Sequence, residues 1–135
     1  MRTTVILSGL IASGCASAPQ PSHVGGNLPP GRWGGHQVAL EISADGSGRV
    51  DMSCATAEFA GPVKVGVGGH FLTGGRFARG TGVTTRKGPA WAPASISGRI
   101  DGPDTLWLDI ALRDSYPVRS ARLTRNAEPD LLRCL

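Results

Sequence analysis

Leu106-Trp107-Leu108-Asp109-Ile110-Ala111-Leu112 decides the fold. Leu106, Leu108, Ile110 and Leu112 share one side of an extended chain, while Trp107, Asp109, Ala111 and Arg113 share the other. Side chains alternate between faces only in a strand, so this is a strand with one apolar face. A helix would need apolar residues at i, i+3, i+4 and i+7, and no segment outside the first residues has them. The same alternation runs through Ala94-Ser95-Ile96-Ser97-Gly98-Arg99-Ile100, and Asp101-Gly102-Pro103-Asp104 turns it into the 106–112 strand. Asp114-Ser115-Tyr116-Pro117 turns the chain again, and Val118 to Arg125 returns.

A second set of strands lies upstream. Val38, Leu40 and Ile42 alternate with Gln37, Ala39 and Glu41; Val50, Met52 and Cys54 alternate with Asp51 and Ser53. Ala44-Asp45-Gly46-Ser47-Gly48 joins them, and the pair reads as a hairpin with the Cys54 thiol pointing inward. Glu58-Phe59-Ala60 and Val63-Lys64-Val65 read as short strands broken at Gly61-Pro62. Gly74-Gly75 separates His70-Phe71-Leu72-Thr73 from Arg76-Phe77-Ala78. Thr81 to Pro93 reads as one long loop, because Gly82, Gly88, Pro89 and Pro93 oppose regular pairing. Leu131 to Leu135 reads as a terminal strand or a turn of helix. Seven or eight short strands with close turns predict an all-β domain, a small antiparallel barrel or sandwich.

The chain opens with Arg2, an apolar run from Val5 to Ala12, and the small residues Ser13-Gly14 before Cys15. This is the order of a secretory leader, and the run is shorter than the roughly 20 residues that span a bilayer. Ile11-Ala12-Ser13-Gly14-Cys15 resembles a bacterial lipobox. That resemblance implies a leader over residues 1–14, a diacylglycerol on Cys15, and a mature chain anchored in a membrane, the outer one facing the periplasm where the cell has two. The other reading is a plain leader cut after Ala16-Ser17-Ala18, leaving a secreted protein. Residues 15–30, with Pro19, Pro21, Gly25-Gly26, Pro29 and Pro30, read as a tether, and residues 31–135 as the folded domain. Once Cys15 carries lipid, Cys54 and Cys134 remain, and two cysteines in an exported domain predict one disulfide.

Gly31-Arg32-Trp33 is similar to the G-x-W that opens calycin-type barrels. The similarity implies that Trp33 plugs one barrel end against an arginine from the last strand, with Arg119, Arg122 and Arg125 in the right region. A wider pattern resembles small exported bacterial proteins: Gly31, Trp33, Gly34 and Gly35, then Gln37, Cys54, Gly98 to Gly102, Leu123-Thr124-Arg125 and Cys134-Leu135. That likeness implies export and carries no activity.

The residue pattern assigns no catalytic, cofactor or metal role. His36 and His70 each stand beside a Gly-Gly pair, without the nucleophile and orienting acid that hydrolysis needs. Glu41 alternates outward among polar neighbours, which does not build a glycosidase pair with Glu58. The acids between Asp101 and Asp114 lack calcium-loop spacing. The formal charge is +4, falling to +3 without Arg2. Export argues against nucleic acid as the partner. The function expected is a non-enzymatic, lipid-anchored envelope domain with a structural or binding role. Its partners would be the membrane, and an envelope protein or cell-wall polymer. The alternatives are an exported inhibitor of a protease or lysozyme acting through loop 81–93, with Arg86, Lys87 and Trp91 as contact residues, and a small-ligand carrier with an open barrel mouth.

Overall fold

The computed structural model describes residues 14, 26–80, 88, 90–112 and 117–132. Eight strands follow one another: β1 (Gly31–Gly35), β2 (Val38–Ile42), β3 (Gly48–Met52), β4 (Ala55–Phe59), β5 (His70–Arg79), β6 (Ala92–Asp101), β7 (Thr105–Leu112) and β8 (Pro117–Arg125). Each pairs antiparallel with the next, and β8 returns to β1 through Trp33↔Arg125 and Gly34↔Thr124. The sheet is therefore a closed barrel and not a sandwich, and closure leaves no strand edge for another chain to extend. The β2–β3, β4–β5 and β6–β7 connections lie at one end, here called the lower end. The β1–β2 and β3–β4 turns lie at the upper end.

Alternation decides which side chains go inside. Val38, Leu40, Ile42, Val50, Ala57, Phe59, Phe71, Phe77, Ala94, Ile96, Ile100, Leu106, Leu108, Ile110 and Leu123 form one buried cluster. Met52 and Leu112 are half-buried against it near the upper end. Two glycines inside the barrel make room for rings from the neighbouring strand. Gly48 pairs with Phe59, and a Cβ on Gly48 would meet that ring at 2.0 Å. Gly98 pairs with Phe71, whose ring would lie 2.7 Å from an added Cβ. Alternating large and small residues across facing positions is how a narrow barrel fills.

Several expectations need correction. Cys54 does not continue the inward set of Val50 and Met52. β3 ends at Met52, Ser53-Cys54 is the two-residue turn, and Cys54 is exposed. Cys54 is disulfide-bonded; Cys134 lies outside the described residues. Gly74-Gly75 does not interrupt a strand, since β5 runs unbroken through it. A Cβ at Gly75 would meet the Glu58 carbonyl oxygen at 2.3 Å, so glycine here allows close approach of two strands. Val63-Lys64-Val65 is not a hairpin strand. It makes a single bridge, Asn27↔Lys64, with Leu28 N–H donating to the Val63 carbonyl at 2.7 Å. Residues 26–30 thus belong to the packed domain and not to the tether, for Leu28 is only 2 % exposed. Ala92 and Pro93 belong to β6 and not to the loop. Leu131 and Leu132 form no strand or helix and are exposed.

Candidate functional site

The lower end is closed by its own side chains. Leu28, Val63 and Val65 join the core there, and Trp33 points inward from β1 with 3 % exposure. The Arg125 guanidinium lies 5.8 Å from the Trp33 ring centre, within cation–π range. Of the arginines named for this role, Arg125 meets Trp33. Arg122 faces outward and lies over Trp107 at 5.9 Å. Arg119 donates from Nη2 to the His36 carbonyl at 3.0 Å, and its Nε is buried with no partner among the described residues.

With the interior filled, the outer wall is what the barrel offers. Strand register arranges that wall in rows. Arg32, Glu41, Arg49, Glu58 and Arg76 stand side by side on β1 to β5, one residue per strand with alternating sign. Arg76 bonds Glu58 at 2.6 Å, Arg49 reaches the same carboxylate at 3.8 Å, and Arg32 lies 3.9 Å from Glu41. Opposite charges facing each other across strands are favourable by roughly 0.2–1 kcal/mol each. This ladder explains Glu41 and Glu58 as structural charges. Arg76 also stacks on Trp91 at 4.0 Å. Trp91 is therefore half-buried against the wall, while Arg86 and Lys87 lie outside the described residues.

The other half of the wall differs. His70, Arg99, Trp107 and Arg122 stand side by side on β5 to β8. Arg99 reaches Asp101 only at 3.8 Å, and among the described residues Arg122 has no carboxylate partner. Asp109, in the adjacent row, accepts from the Ser120 hydroxyl. Trp107 is 41 % exposed, Leu72 on β5 is 71 % exposed, and Val67, just before β5, is 82 % exposed. This mixed apolar and cationic shoulder near the lower end was not legible without register, because its members are far apart in sequence.

Beyond β8, residues 126–132 cross the outside of β1 to β3 as a strap. Asn126 N–H donates to the Arg32 carbonyl at 2.8 Å, and an added Cβ on Gly34 would strike the Ala127 carbonyl oxygen at 2.1 Å. Asp130 fastens the strap to the β1–β2 turn: its carboxylate accepts from Gln37 N–H at 2.7 Å and contacts His36 Nδ1 at 2.8 Å. Leu132 N–H then donates to Ser53 Oγ at 3.0 Å, bringing the strap to the β3–β4 turn. The Gln37 amide first, then His36, hold the Asp130 carboxyl below its ordinary value of 3.8. A lowered folded value means the contact stabilises above the ordinary value and is lost as pH falls through the lowered one. The Gln37 amide proton resonance is therefore expected to titrate with a midpoint below 3.8. In Asp130→Ala that transition should vanish; a midpoint at or above the ordinary value would refute the contact.

Among the described residues, no three His, Cys, Asp or Glu side chains are grouped to hold a metal. Compared with protein-family models, with curated proteins and with solved structures, the chain matches none.

Proposed function

We propose that the protein is a lipid-anchored, non-enzymatic domain of the bacterial envelope, carried on a short tether from Cys15 and acting through its outer wall as a structural or binding module. The observation that carries this reading is the filled barrel. Phe59, Phe71 and Phe77 occupy the interior with Leu40, Ile96, Leu106 and Ile110, and Leu28, Val63 and Val65 pack at the lower end. A carrier needs a concave apolar cup. A barrel packed with side chains is a rigid support whose recognition chemistry lies outside. The leader pattern ending at Cys15 supports anchoring, and the bridge from Cys54 to Cys134 belongs to the same reading, since it leaves Cys15 for the lipid. Mass spectrometry of the mature N-terminus from the native host tests it. The expected result is a diacylglyceryl cysteine at Cys15 and partition into detergent. An unmodified N-terminus at Pro19 would overturn the anchor.

A further inference from the structure

We propose that the lower shoulder of the barrel, formed by Val67, Leu72 and Trp107 with Arg99 and Arg122, docks on the phospholipid headgroup layer. The proposal deepens the anchored reading and rests on it for orientation. Val65 N–H donates to the Gly26 carbonyl at 2.8 Å, so the described domain begins two residues from Val67 along this segment. The chain between Cys15 and Gly26 therefore joins the barrel beside the shoulder, and an anchor on Cys15 turns that end toward the bilayer. Only ten residues separate Cys15 from Gly26, and a chain of that length cannot span more than roughly 35 Å, which keeps the shoulder close to the surface.

The chemistry of the patch fits headgroups and not a soluble polyanion. Among the described residues Arg122 has no carboxylate partner and Arg99 meets Asp101 only at 3.8 Å, so both can bond phosphate oxygens. Val67 and Leu72 are the most exposed large apolar side chains among the described residues, and a charged polymer offers them nothing. The boundary between headgroups and acyl chains accommodates aliphatic groups, and tryptophan favours the same depth. In the opposite half of the wall, Arg32, Arg49 and Arg76 are interleaved with Glu41 and Glu58, so that row carries one net positive charge over five residues and no exposed large apolar side chain.

The test uses the full chain with Cys15→Ser, so that no lipid contributes, in co-sedimentation with two vesicle types. One is pure phosphatidylcholine; the other contains roughly one-third phosphatidylglycerol. Binding from the apolar leader is common to all variants, so the difference between variants reads the shoulder alone. Val67→Ser with Leu72→Ser and Trp107→Ser is expected to weaken binding to both vesicles by at least about tenfold. Arg99→Gln with Arg122→Gln is expected to weaken binding to the anionic vesicles by about tenfold or more and to leave phosphatidylcholine nearly unchanged. All the altered positions are exposed, and equal thermal midpoints verify folding. Either variant binding as the parent overturns the proposal. With soluble polyphosphate as a third ligand, a loss in the arginine variant seen there and with neither vesicle also overturns it, and would assign the arginines to a soluble polyanion. A failed anchor is read separately, from the mature N-terminus.

Discussion

Leu108→Ala is expected to cost about 2–5 kcal/mol, near the upper end of that range. Leu108 is 2 % exposed and points into the barrel from the middle of β7. Its cross-strand partners are Gly98 on β6 and Ala121 on β8. Neither has a side chain that can move into the vacated volume, and the Phe71 ring is already committed to the space over Gly98. The cavity therefore stays open, and the cost includes both the lost apolar burial and the lost contacts. For a domain of this size each 1 kcal/mol lowers the melting temperature by roughly 4–8 °C. Trp107→Ala, one residue away on the outer wall, should shift it far less. Urea titration checks both: the Leu108→Ala midpoint should fall with an unchanged slope. Equal effects of the two substitutions would mean that the 106–112 register is wrong by one residue.

That register was legible because two-residue alternation is a local signal. Leu106, Leu108 and Ile110 are fully buried while Trp107 is exposed, as the pattern required. The same holds for Val38, Leu40, Ile42 and Val50. Local pattern fails where a neighbouring strand decides. Gly74-Gly75 has the composition of a turn, yet Gly75 is small because Glu58 and Ile96 press on it from both sides. Cys54 keeps the period of Val50 and Met52 by chance of spacing, one turn beyond the strand's end. Residues 26–30 look like tether by their glycine and prolines, but one leucine and two backbone hydrogen bonds suffice to dock them.

The candidate surface was less legible still. Trp33 carried a local motif, and its arginine partner came down to one of three nearby positions that only the closing β1–β8 pair distinguishes. The charge ladder and the shoulder join residues from four or five strands. Their neighbours follow from pairing register, which no single segment contains. The strap has no periodicity, and what orders it is the Asp130 carboxylate meeting a turn 93 residues away.

Cys54→Ser is expected to lower stability by about 2–5 kcal/mol, and Cys134→Ser by the same amount. Cys54 is disulfide-bonded and sits in the β3–β4 turn, next to the Ser53 hydroxyl that accepts from Leu132 N–H. Cys134 is two residues beyond Leu132, and two residues of extended chain reach about 7 Å. The bridge would close about 80 residues, for which the chain-entropy model gives roughly 4–5 kcal/mol. Because the sulfur is at an exposed turn and not in the core, the serine leaves no cavity, and the loss should come from the unfolded chain and from release of the strap. If the two cysteines form one bridge, the double variant should be no less stable than either single one. Non-reducing peptide mapping of the mature protein identifies the partner directly. A Cys15–Cys54 peptide would overturn the pairing and the lipid anchor together, because a thiol held in a disulfide cannot carry diacylglycerol.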